Sequence, residues 1–131
     1  MATPQLPAPI AGFLDAINNR DAEGAGKYFT DDISYHLLMP HPAIVGREAV
    51  VDALRGAITE AERVQWDVVT FAATADTALV ERLDRFWFRG TEVAIECTGV
   101  FELADGKIAA IRDYADMNTW RERKQAALGD R

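Results

Sequence analysis

Three charged side chains in two separate stretches have the types and spacing to do acid–base work. Arg82 and Asp84 stand two apart in "ERLDRFWFRG", and Asp113 follows in "AAIRDYADM". On a strand, side chains at i, i+2 and i+4 point the same way, so Arg82, Asp84, Phe86 and Phe88 share one face. Glu81, Leu83, Arg85 and Trp87 share the other. If the first face looks inward, an arginine and a carboxylate sit among phenylalanines. A second carboxylate on the same guanidinium would complete a pair in which one member stays ionised and its neighbour stays protonated, the division that general acid–base chemistry needs. The competing reading is an ion pair that only ties strands together. Buried pairs commonly lose more by desolvation than they gain by attraction, which favours a site over a staple.

The elements that must position these residues follow from periodicity. Ile10, Phe13, Leu14 and Ile17 recur at helical spacing in "IAGFLDAI", after a Pro-spaced arm over residues 1–9. Asp21 is suited to cap a short helix in "DAEGAGKYF", which Gly24 and Gly26 weaken. "ISYHLLM" (33–39) reads as a strand stopped by Pro40 and Pro42, and Val50, Leu54 and Ile58 give 46–58 a helical stripe. The period then changes to two, predicting strands near 64–72, 77–88, 92–103 and 107–115, followed by a helix from about Asn118 to Leu128. This pattern predicts one α+β domain over 1–131: a curved, mostly antiparallel sheet forming a cone, with N-terminal helices packed over it and a pocket inside.

Two turns set the strands against each other. "RG" at 89–90 suits a two-residue loop, pairing Phe88 with Thr91, Phe86 with Val93, Asp84 with Ile95 and Arg82 with Cys97. For "ADG" a three-residue loop segregates side chains more cleanly than a two-residue one. It pairs Leu103 with Lys107, Gly99 with Ile111 and Cys97 with Asp113. Arg82, Cys97 and Asp113 then form one row across three strands, with Asp84 diagonal to it. Strands about 4.8 Å apart leave roughly 10 Å between the outer two backbones, which an arginine can span. Phe86, Ile95, Phe101 and Ile111 would wall this triad.

Composition narrows the function. The chain has 131 residues, nearly half of them hydrophobic, and a formal charge of −7 without a basic cluster, which argues against nucleic acid. A single cysteine excludes an internal disulfide and fits a reducing compartment. "MATPQLPAPI" has no signal-peptide pattern and no apolar run reaches membrane-spanning length, so a cytoplasmic protein without a membrane partner is expected. His36 and His41, with Asp31 and Asp32 nearby, match no metal-ligand spacing. Cys97 has no base beside it and reads as a small residue that leaves room for the arginine. Trp66 and Trp87 read as packing or interface residues, and Trp120 as closing the pocket mouth or capping the core.

"ERLDRF", then "GVFELADGKIAAIRDYADM", with "GREAVVDAL" at 46–54, resembles the limonene-1,2-epoxide hydrolase family of the nuclear transport factor 2-like, ketosteroid-isomerase-like (cystatin-like) superfamily. The resemblance runs from about Ile33 onward. It implies a hydrolase of ether bonds that adds water to an epoxide in one step, without a covalent intermediate. By motif position it makes Asp113 the base that activates water, Asp84 the acid that protonates the epoxide oxygen, and Arg82 the bridge between them.

That family holds its water with a tyrosine and an asparagine two residues apart. Counting back from Gly46 places those positions at His36 and Leu38, with Tyr35 in play if the strand shifts by one. The resemblance further implies an apolar cyclic or terpenoid-sized epoxide lying on Leu38, Phe86, Ile95, Ile111 and Trp120. It implies no cofactor and no metal, and a homodimer through the open sheet face, with Trp87 and Tyr114 in contact. Two alternatives stay open at this point. One is an isomerase or cyclase of the same superfamily acting next to a carbonyl through Asp113 or His36. The other is a non-catalytic small-molecule-binding domain.

Overall fold

The computed structural model describes residues 5–129. Its elements run α1 (Ala8–Asn18), α2 (Ala22–Gly26), β1 (Phe29–His36), β2 (Ile44–Val45), α3 (Arg47–Thr59), β3 (Arg63–Ala73), β4 (Thr77–Phe88), β5 (Thr91–Ala104), β6 (Lys107–Tyr114) and α4 (Met117–Leu128). The expected α+β class holds: six strands form one sheet in the order β2-β1-β6-β5-β4-β3. Only β1 and β6 run parallel.

The first helix starts earlier than the expected arm over residues 1–9 allows. Residues 1–4 lie outside the described residues, and α1 already begins at Ala8. Pro9 sits in the first helical turn, where the N–H it lacks would have no partner. The helix buries Ile10, Phe13, Leu14 and Ile17, the stripe that periodicity picks out. Asp21 caps α2 by accepting from the Gly24 amide.

Phe13 occupies the middle of the core, with its ring against those of Phe29, Tyr35, Trp66 and Phe101. Fully burying one such aromatic contributes about 2–3 kcal/mol, so this contact fastens α1 to the concave face of the sheet. Asn18, near the end of α1, accepts from the Trp66 amide and donates to the Trp66 carbonyl. It thereby satisfies the outward backbone groups of the edge strand β3.

Both hairpins of the long meander turn on two residues with positive φ, Arg89–Gly90 and Asp105–Gly106. This geometry matches the twist of the flanking strands. The β4–β5 register is the expected one throughout, including Arg82 opposite Cys97. The β5–β6 register is a correction. Ala104 pairs with Lys107 across the shorter turn, and Ala109 is then left unopposed as a bulge between the Leu103–Ile108 and Glu102–Ala110 pairs. The extra residue restores side-chain parity, so Asp113 faces inward, but opposite Gly99 and not Cys97.

β1 also differs from the expected 33–39 strand, running from Phe29 and ending at His36. Its pairing with β6 sets Tyr35 beside Ile111 and His36 beside Arg112.

Candidate active site

Arg82 is the pivot of the concave face, with 1% of its surface exposed. Strand β4 brings Asp84 onto the same side, and the guanidinium meets that carboxylate as a fork, Nε to Oδ1 and Nη2 to Oδ2, both at 2.9 Å. A second and longer fork reaches Asp113 on β6, Nη1 to Oδ1 and Nη2 to Oδ2, both at 3.3 Å. The Tyr35 hydroxyl, on β1, donates to Asp113 Oδ2 at 2.9 Å. Nη2 also donates to Cys97 Sγ at 3.2 Å.

Gly99 makes this convergence possible. A Cβ at that position would lie 2.8 Å from Arg82 Nη1 and 2.8 Å from Asp113 Oδ1.

Electrostatics follow from burial. Two carboxylates and one guanidinium carry a net negative charge if all are ionised, and a low-dielectric interior disfavours that. Burial raises the Asp84 carboxyl above the ordinary aspartate range, opposed by Arg82 and reinforced by Asp113. Tyr35 is raised well above the usual phenol value, chiefly by burial and next by the Asp113 charge, which keeps its hydroxyl a donor. The two carboxylates hold Arg82 firmly protonated against the cost of its burial. Burial pushes the Cys97 thiol up, with Asp113 and Asp84 adding to it, so it stays unreactive.

The triad opens onto a cavity of about 250 Å³. Tyr35, Asp84, Cys97 and Asp113 supply its polar floor, and Leu37, Leu38, Phe86, Phe88, Ile95 and Trp120 are among its apolar walls. Trp120 closes it from α4, with its ring 5.1 Å from Phe86 and 6.3 Å from Phe88. Asp116 caps that helix by accepting from the Asn118 and Thr119 amides. Lys124 bridges the mouth to Glu60 at 2.7 Å. A wider groove of about 710 Å³ between α2 and α3, with Lys27, Arg47, Glu48 and Arg55 on its sides, shares no residue with this cavity.

Of the residues read from the sequence, the structure brings together Arg82, Asp84, Asp113, Tyr35, Leu38, Phe86, Ile95 and Trp120. Two are corrected. His36 lies on the opposite side of β1 from Tyr35, and its Nδ1 is 2.8 Å from the His41 carbonyl oxygen. Parity along the strand rules it out of the cavity. Ile111 is fully buried in the core with Phe101 and does not line the cavity wall.

Leu37 and Trp66 line the cavity, and the sequence reading did not assign them to it. No group of three or more metal-ligating side chains is assembled among the described residues. Among those residues no helix is long and apolar enough to cross a membrane.

Comparison with known proteins places this geometry in context. The family model of the SnoaL-like domain matches residues 10–111. An LEH-like epoxide hydrolase of M. tuberculosis superposes with a TM-score of 0.76 at 26% identity, over 93% of this chain and 90% of that one. A protein of ketosteroid isomerase-like fold from Catenulispora acidiphila, solved with trimethylamine, gives a TM-score of 0.81 at 16% identity, over 91% and 93%. The epoxide hydrolase/cyclase-like enzyme SalBIII of pyran ring formation in salinomycin gives 0.76 at 19%, over 86% and 91%. The fold is thus the one these proteins share.

Proposed function

The chain belongs to the SnoaL-like domain family, and within that family we propose that it is an epoxide hydrolase, adding water to a small apolar epoxide to give a vicinal diol. The observation that carries this reading is a fully buried guanidinium forked onto two buried carboxylates at the floor of an apolar cavity. The 26% identity to an LEH-like epoxide hydrolase, over nearly the whole of both chains, supports it.

In the proposed step Asp113 takes a proton from a water molecule held by its carboxylate and by Tyr35. The water oxygen attacks one epoxide carbon. The C–O bond breaks as Asp84 gives its proton to the leaving oxygen. The proton formally moves from Asp84 to Asp113 and the charge of the triad does not change, so the apolar surroundings do not oppose the step. Arg82 touches both carboxylates before and after. The raised Asp84 carboxyl suits the acid.

A cavity of about 250 Å³ lies just below the usual range of ligand pockets, about 300–1,000 Å³, and its walls are mostly apolar, which fits a compact cyclic or terpenoid-sized substrate. A homodimer through the outer sheet face, covering Trp87 and Tyr114, belongs to the same reading. That face presents Tyr114 and Leu79 between ion pairs such as Arg112–Glu102 and Arg85–Asp67.

One observation favours a second reading. Leu37 and Leu38, the lining residues that follow β1, offer no polar side-chain atom to help Tyr35 and Asp113 seat a water. A hydroxyl of the substrate itself, with one O–H for Asp113 and a carbon on the other side, fits such a seat. It would close a cyclic ether.

The test is a panel of limonene oxide, cyclohexene oxide and styrene oxide, scored for diol with wild type, Asp113→Asn and Asp84→Asn. Diol from wild type and none from either variant is the expected result. No diol from wild type on any of the three overturns the reading.

A further inference from the structure

The indole of Trp66 is 7% exposed, and its Nε1–H is one of two buried side-chain polar atoms that lack a hydrogen-bond partner among the described residues. An unpaired buried donor costs stability, and phenylalanine would fill much of the same space without that cost. What the indole offers Arg82 beyond a phenyl ring is the stronger π face. That face carries a cation: the guanidinium carbon of Arg82 lies 4.7 Å from the ring centroid.

The placement is built, not incidental. Trp66 stands opposite Asp84 in the β3–β4 pairing. Asn18 grips its backbone through both the amide and the carbonyl. The rings of Phe13 and Phe86 stand edge-on to it at 6.4 and 6.3 Å. The two forks hold the edge of the guanidinium, and the indole lying under its face adds to their resistance against tilting. The bonds to Asp113 are 3.3 Å against 2.9 Å to Asp84, so a tilt would break the Asp113 side first.

We propose that Trp66 is the positioning residue for Arg82, its ring face fixing the plane in which the guanidinium joins the two carboxylates. The inference rests on the reading of Arg82 as the bridge between acid and base. Trp66 needs no contact with the reacting atoms to act in this way.

The test uses the full chain with Trp66→Phe and Trp66→Leu. It reads kcat and KM for diol formation together with the Arg82 Nε–H resonance, assigned by its loss in Arg82→Lys. Stacking on an indole moves that resonance upfield, and burial slows its exchange. Trp66→Leu is expected to lower kcat at least about tenfold with KM within about threefold, to move the resonance downfield and to speed its exchange.

Trp66→Phe, which keeps a weaker ring face, is expected to lose about twofold to fivefold in kcat with a smaller rise in the Arg82 Nε–H exchange rate. Wild-type kcat and an unchanged exchange rate of the Arg82 Nε–H in Trp66→Leu overturn the proposal. If that variant does not fold, the same two readings in Trp66→Phe decide. If wild type forms no diol, the proposed function fails while the exchange rate of the Arg82 Nε–H still decides: faster in Trp66→Leu it upholds the positioning role, and unchanged it refutes it.

Discussion

Gly99→Ala puts a single methyl group where β4, β5 and β6 bring their functional atoms together. The added carbon would stand 2.8 Å from Arg82 Nη1, 2.8 Å from Asp113 Oδ1 and 3.1 Å from Phe101 Cε1, where ordinary contact begins at 3.4 Å. The strand cannot retreat, because its backbone is paired on both sides. Relief must come from pushing Arg82 and Asp113 off by about 0.6 Å each (3.4 less 2.8), and their bonds at 3.3 Å have little reserve before they cease to be hydrogen bonds. Overpacking costs about 1–3 kcal/mol and a lost hydrogen bond about 1 more, so the variant should be less stable by about 2–4 kcal/mol. For a chain of this size that lowers Tm by roughly 10 °C. A displacement near 1 Å at reacting groups can cost about a hundredfold in rate, so diol formation should fall on that scale. Urea unfolding and initial rates on one preparation measure both. A variant with the stability and the rate of wild type would refute the reasoning that Gly99 is the space in which the bridge forms.

Three further outcomes follow from the same geometry. Tyr35→Phe removes a buried donor to Asp113 Oδ2, and at about 1.5–3 kcal/mol for a bond to a charged group the rate should fall by about ten- to a hundredfold. His36→Ala, on the other side of the strand, should leave kcat and KM within about twofold in the same assay. The pH–rate profile should fall on its alkaline side. Asp84 acts as the acid in its protonated form and burial raises its carboxyl above the ordinary range, so activity is present below that raised value and is lost as pH rises through it. A rate that climbs steadily with pH through the whole folded range would contradict the assignment of the acid.

Much of this site can be read from side-chain alternation and turn chemistry. Arg82, Asp84 and Phe86 share a strand face, and Arg89–Gly90 is a two-residue turn, so the β4–β5 register follows by counting. Counting fails where a bulge shifts parity. The unopposed Ala109 moves Asp113 from opposite Cys97 to opposite Gly99. The break at Val69 brings Trp66 opposite Asp84, where an unbroken ladder from the Ala73–Ala78 pair would have set it opposite Arg85 on the outer face.

β1 was the other gap. Its partner β6 is more than seventy residues away and parallel, so no turn reports its register, and a one-residue offset exchanges Tyr35 for His36. Trp120 was legible as an aromatic in a polar helix. That Lys124 and Glu60 meet across the mouth depends on how α3 and α4 end, which local pattern does not encode.

The most direct test of the central claim is turnover of an accepted epoxide in ¹⁸O-labelled water, with mass analysis of the product. The account predicts a diol with one labelled oxygen, formed by wild type and not by Asp113→Asn. A product without label, or epoxide left unconsumed by wild type, would contradict water attack driven by the Asp113–Arg82–Asp84 triad.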